Sequence, residues 1–145
     1  MTPQPRKSPL LADVMTSNPI GIEAHSSLAA ALELMRQHDI HHLVVMDGQG
    51  PNANPESIIS SSDILKVTQL GGRTLEDCEL NVADICTGKA YIADSKDPLH
   101  ISLQAMADSH GGTIIVLTEG ALAGILTPGD ACRLLATYLC NTASH

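Results

Sequence analysis

The sequence predicts an α+β fold built from two tandem β-α-β-β-α units within its 145 residues. Three observations carry that prediction. An internal repeat runs at constant register, each repeat shows the same order of apolar stripes and short apolar runs, and two matching strand-to-helix junctions close the repeats.

The repeat opens with Asp13-Val14-Met15-Thr16, answered 71 residues later by Asp84-Ile85-Cys86-Thr87. The same register pairs Ile20 with Tyr91, Leu28 with Leu99, Leu32 with Leu103, Met35 with Met106, and Leu43-Val44-Val45 with Ile114-Ile115-Val116. After that strand the spacing shortens, and Ser60 and Asp63 find Thr127 and Asp130 67 residues on. The turn-forming stretch from Gly48 to Pro55 absorbs the difference, where the second repeat has only a short turn at Glu119-Gly120.

In each repeat a helical turn (Leu10 to Met15, Val82 to Cys86) leads into an extended segment (Ile20 to Glu23, Ala90 to Ala93). A helix follows, with Ser26 or Asp97 as its expected cap. Leu28, Leu32 and Met35, like Leu99, Leu103 and Met106, recur at i, i+4 and i+7 and give each helix one apolar stripe. Two strands come next, Leu43 to Met46 with Ser57 to Ser60, and Thr113 to Leu117 with Leu122 to Leu126. The continuous runs Leu43-Val44-Val45 and Ile114-Ile115-Val116 predict burial on both faces. Helices from Ser61 to Thr68 and Pro128 to Leu139 close the units. One unit of about 60 residues buries too little surface to be stable alone, so the two are expected to pack together. The domain plan is a flexible tail at 1–9, a first repeat at 10–68, a linker at 69–80 and a second repeat at 81–140.

Composition narrows the function classes. Hydrophobic residues make up 43% of the chain, yet Phe and Trp are absent and Tyr occurs twice, so the core is aliphatic and bases have no aromatic platform. A formal charge of −8 excludes a nucleic-acid groove, which needs clustered Lys and Arg. The N-terminus Met1-Thr2-Pro3-Gln4-Pro5 lacks the apolar core of a signal peptide, and no run reaches the roughly 20 apolar residues of a membrane span. Cys78, Cys86, Cys132 and Cys140 form no C-x-x-C pair, which predicts reduced thiols in a cytoplasm, and Cys132 and Cys140 read as small core residues.

The closing junction Gly124-Ile125-Leu126-Thr127-Pro128-Gly129-Asp130 predicts an N-cap at Thr127, a first helical position at Pro128 and a reciprocal carboxylate at Asp130. Its counterpart is Ser57-Ile58-Ile59-Ser60-Ser61-Ser62-Asp63, with serine in place of the glycine. A hydroxyl, a carboxylate and free N–H groups at a strand-to-helix junction can equally hold a sugar and a phosphate. Asp13 and Asp84 are expected to cap or pair locally.

Two tandem units, each opening with D-[VI]-x-T and closing with this G-h-h-[ST]-x-x-D element, resemble a CBS domain pair, or Bateman module, from Leu10 to about Leu139. The resemblance implies packing about a pseudo-two-fold axis, dimerisation into a disc, and binding of an adenosine-containing ligand such as AMP, ADP, ATP or S-adenosylmethionine, with no cofactor required. It implies two pockets. The first would combine Ile125, Thr127 and Asp130 with Thr16, Ile20, Gly21, Ile22, Ile40 and His41; the second, Ile58, Ser60, Ser62 and Asp63 with Thr87, Tyr91, Ile92, Gly111 and Gly112. In such proteins the aspartate receives the ribose hydroxyls, the Ser or Thr reaches ribose or phosphate, and first-strand backbone holds the adenine. Relatives that hold phosphates often carry His-Arg before the second core strand. Here the first repeat has His41-His42 and the second Gly111-Gly112, which favours the Asp130 pocket as the phosphate site.

His38, His41 and His42 are completed by no further ligand pattern, so no metal is expected. Ser60-Ser61-Ser62 lacks the G-x-S-x-G elbow of a hydrolase, and the chain is expected not to be an enzyme. Two functional expectations stand. One is a regulatory module whose adenosine ligand alters its packing, read by an unidentified effector protein. The other is a dimerisation module with vestigial pockets.

Overall fold

A computed structural model of the protein describes residues 9–48, 53–71, 80–86, 90–108 and 112–143. In chain order the elements are α1 (Leu11–Val14), β1 (Thr16–Ser17), β2 (Gly21–Glu23), α2 (Leu28–His38), β3 (His42–Asp47), β4 (Asn54–Ser60), α3 (Ser61–Gly71), α4 (Val82–Ile85), β5 (Tyr91–Asp94), α5 (Leu99–Asp108), β6 (Ile114–Thr118), β7 (Ala121–Leu126) and α6 (Pro128–Ala143). They form two compact units, Pro19–Ala90 and Met1–Asn18 with Tyr91–His145. Each expected β-α-β-β-α series is present, and the fold is α+β.

In the unit of residues 19–90, the sheet order is β2-β3-β4, with β2 parallel to β3 and β3 antiparallel to β4. The central strand β3 buries Leu43, Val44 and Val45 consecutively, as the apolar run predicts. Leu28 and Met35 of α2 enter the core with Ile22, Ile59 and Ile64, and Leu32 packs against it. The cap of α2 is Ser27, whose Oγ accepts from Ala30 N at 3.1 Å, and not Ser26. Ser26 is committed by its backbone: its N–H donates to Glu23 O and its carbonyl accepts from Val82 N. The helix α3 runs on through Gln69, Leu70 and Gly71, into the segment expected as linker; residues 72–79 lie outside the described residues.

The other unit repeats the construction. Its sheet order is β1-β7-β6-β5, with β5 parallel to β6 and β6 antiparallel to β7. Ile114, Ile115 and Val116 of β6 are fully buried. Both units carry the same irregularity in the hairpin ladder, between Val45 and Met46 and between Val116 and Leu117. The short turn at Glu119-Gly120 has positive φ at both residues, the two-residue hairpin geometry that glycine makes accessible.

Each unit takes its opening helical turn from the other sequence repeat. Val82 of α4 is fully buried in the core of the 19–90 unit, where Val82 N and Ala83 N donate to Ser26 O and Ala24 O, each at 2.9 Å. Leu11 of α1 is fully buried in the core around Leu99, Met106 and Leu126, and Leu11 N and Ala12 N donate to Asp97 O and Ser95 O. The two turns therefore plug equivalent sockets. As expected, Asp13 and Asp84 cap these turns, accepting from Leu10 N and Asn81 N. The strand β1, absent from the sequence reading, pairs antiparallel with β7, Thr16 opposite Ile125 and Ser17 opposite Gly124.

Cys132 and Cys140 are exposed, which corrects their reading as core residues. The helix α6 turns Ala131 and Leu134 to the core and leaves both thiols outside.

Candidate functional site

In the unit carrying β7, the chain leaves a buried strand at Leu126 and enters α6 at Pro128. The junction is a reciprocal cap, as predicted: Thr127 N donates to Asp130 Oδ2 at 3.0 Å and Asp130 N donates to Thr127 Oγ1 at 3.1 Å. Two further groups converge on the same carboxylate. Thr16 Oγ1 donates to Asp130 Oδ2 at 3.3 Å, and an Arg133 guanidinium N–H donates to Asp130 Oδ1 at 2.6 Å. Burial pushes the Asp130 carboxyl upward, but the Thr127 backbone N–H, the Arg133 guanidinium and the Thr127 and Thr16 hydroxyls outweigh it and hold its pKa below the ordinary value. The result is a fixed anionic acceptor with hydroxyls beside it, suited to a vicinal diol.

Thr16 reaches Asp130 because β1 lies on β7. That contact dictates Gly124: a Cβ there would stand 2.6 Å from Met15 Sδ and 2.7 Å from Thr16 O. The glycine of the closing motif is thus the space through which the Met15-Thr16 segment passes.

In the other unit the same cap forms between Ser60 and Asp63. Ser60 N donates to Asp63 Oδ2 at 3.1 Å and Asp63 N to Ser60 Oγ at 3.2 Å. The serine at the glycine position, Ser57, is buried and hydrogen-bonds the Cys86 sulfur. Burial first, then the nearby Asp63 and Glu56 charges, push the Cys86 thiol upward, while Ser57 opposes them; the thiol stays protonated at neutral pH. His41 belongs to this unit, with Nδ1 3.4 Å from Ser61 Oγ and its carbonyl accepting from Ser61 N.

Of the first expected set, Thr16, Ile125, Thr127 and Asp130 lie in the unit with β7, whereas Ile20, Gly21, Ile22, Ile40 and His41 lie in the 19–90 unit. Ile22 and Ile125 are buried, so their side chains are core and only their backbone is available. Of the second set, Ile58, Ser60, Ser62 and Asp63 lie in the 19–90 unit; Tyr91, Ile92 and Gly112 lie in the other and are exposed. Thr87 and Gly111 lie outside the described residues.

The residue missed from the sequence is Arg133. Its signal was its position, one helical turn after Asp130 and therefore on the same face. Lys66 stands at the same spacing from Asp63. Among the described residues no group of three His, Cys, Asp or Glu could hold a metal ion, and no helix is long and apolar enough to cross a membrane.

Comparison with known proteins agrees with this architecture. Residues 11–69 match the family model of the CBS domain. An L-aspartate semialdehyde sulfurtransferase of Methanocaldococcus jannaschii is 28% identical over 134 residues, or 90% of this chain, which spans only 24% of that relative's length. A CBS domain pair solved in complex with 5′-methylthioadenosine and S-adenosyl-L-methionine has a TM-score of 0.71 at 24% identity, covering 90% of this chain and 98% of that one. CBSX2 in complex with AMP has a TM-score of 0.66 at 22% identity, with the same coverage. Residues 11–69 thus resemble a CBS domain, and the chain as a whole has the fold of solved CBS domain pairs.

Proposed function

We propose that this chain is a regulatory module that binds an adenosine-containing small molecule, AMP, ADP, ATP or S-adenosylmethionine, and signals its occupancy to a partner protein. The observation that carries the proposal is the Thr127–Asp130 cap with Thr16 on the same carboxylate: an acceptor already ionised and oriented, next to hydroxyls that can turn to a ligand. The solved relatives with adenosine ligands support the ligand class. Ser60 and Asp63 are the corresponding groups of a second site. Ser57 does not count against that site, because its hydroxyl is engaged with Cys86 inside the fold. No catalytic step is assigned to the chain.

Thermal-shift screening with AMP, ADP, ATP and S-adenosylmethionine tests the proposal. A ligand at 100 times its Kd adds about 2.7 kcal/mol of stability, a shift of several degrees in Tm. No shift with any of the four defeats it.

A second reading has its own observation. Leu135, Tyr138 and Leu139 of α6 are 58%, 60% and 55% exposed and fall at i, i+3 and i+4, an apolar row on the outer face of the helix. The row supports homodimerisation through α6. Sedimentation of Leu135→Glu against the unsubstituted chain decides it: dissociation supports the dimer, and a monomer in both removes it.

A further inference from the structure

We infer that Arg133 is the residue through which this chain selects ligands bearing an anionic group over neutral relatives of the same nucleoside. The inference rests on the adenosine reading above and deepens it.

An aspartate is a good acceptor for a ribose diol and a bad neighbour for a phosphate. In a chain of formal charge −8, a nucleotide placed with its ribose at Asp130 meets like-charge repulsion unless a cation stands beside that carboxylate. Arg133 is that cation. One of its N–H groups donates to Asp130 Oδ1 at 2.6 Å, which anchors the guanidinium. The Asp130 side chain is 13% exposed, whereas that of Arg133 is 74% exposed, so the guanidinium sits on the solvent side of the carboxylate with its remaining donors accessible. It also lies over the first turn of α6, since a Cβ placed on Gly129 would find the two terminal guanidinium nitrogens of Arg133 and Thr127 Oγ1 within 3.8 Å. A planar fork held at one edge presents its other edge to a phosphate in bidentate fashion. The same spacing in the other unit, Asp63 followed by Lys66, puts a cation one turn after each motif aspartate.

Calorimetry on the full chain with AMP and with adenosine, in the wild type, Arg133→Gln and Arg133→Lys, tests the inference. AMP should bind the wild type more tightly than adenosine. Arg133→Gln should weaken AMP about tenfold, the loss of one charge-assisted contact, and leave adenosine within about twofold. Arg133→Lys should recover part of the AMP affinity, and raising salt should weaken AMP in the wild type more than in Arg133→Gln. Equal losses for AMP and adenosine would show that Arg133 only orients Asp130, and an unchanged AMP affinity would show that it does nothing; either overturns the inference while leaving the adenosine reading intact. A wild type that binds neither compound overturns both.

Discussion

The two units solve one packing problem in two ways. In each, the segment after the opening helical turn must pass the first residue of the closing motif. In the unit with β7 the pair is Met15 against Gly124, a long side chain facing no side chain. In the 19–90 unit it is Cys86 against Ser57, two small polar groups that hydrogen-bond each other. The volume is shared differently, and the motif's glycine or serine follows from its neighbour across the contact. A departure from the family pattern that looks like decay in one repeat is, on this comparison, compensation.

The sharpest way to break that comparison is to exchange the residues. Gly124→Ser places atoms within 3 Å of Met15 Sδ and of the Thr16 carbonyl. The sulfur can move, but the backbone oxygen is tied into β1, so the cost should be about 2–3 kcal/mol in urea unfolding. Adding Met15→Cys should recover only part of it. The reverse exchange, Ser57→Gly, should cost about 1 kcal/mol, from the lost hydrogen bond and the flexible backbone. Equal and small losses at both positions would show that the glycine and the serine are interchangeable.

The aspartates should also differ in binding. Asp130 is held by the Thr127 N–H, the Thr16 hydroxyl and Arg133, whereas the hydrogen bond found on the Asp63 carboxylate among the described residues comes from Ser60 N. Asp130→Ala should therefore weaken an adenosine ligand about tenfold or more, and Asp63→Ala less. Calorimetry returning the reverse order would sink the assignment of Asp130 as the principal site. The caps themselves should cost alike: Thr127→Ala and Ser60→Ala each lose about 1 kcal/mol, because the reciprocal bonds have nearly the same lengths in both units.

Much of this was legible in the sequence, for physical reasons. Apolar stripes at i, i+4 and i+7 fixed α2 and α5, continuous aliphatic runs fixed β3 and β6, and the S/T-x-x-D spacing fixed both caps. What stayed hidden has no periodicity. The opening turns are four residues long and dock through one buried side chain each, Leu11 or Val82, so nothing local says which strands they join. The strand β1 is a two-residue pairing created by that docking. The cap of α2 fell one residue from its expected place because Ser26 and Ser27 are alike in chemistry and differ only in what their backbones do. Arg133 was visible as a letter, yet its partnership with Asp130 appears only once the cap has fixed the carboxylate.

The smallest expected effect concerns pH, and it sharpens the contrast between Arg133 and Lys66. The folded Asp130 carboxyl titrates below its unfolded value of about 3.9, so its ionisation contributes stability that is fully present above that pH and is lost as pH falls through the lower, folded value. The stability difference between the wild type and Asp130→Asn should be flat from about pH 7 to pH 5 and shrink below about pH 4. Arg133→Gln should make that acid loss smaller, since one of the groups that depresses the carboxyl is gone. Lys66 forms no ion pair among the described residues, so Lys66→Gln should change stability by less than about 0.5 kcal/mol at any of these pH values. Urea midpoints measured across the range decide the matter: an acid response in Lys66→Gln as large as that of Arg133→Gln would mean that the two cations do the same work, and that the units differ only in how they share volume.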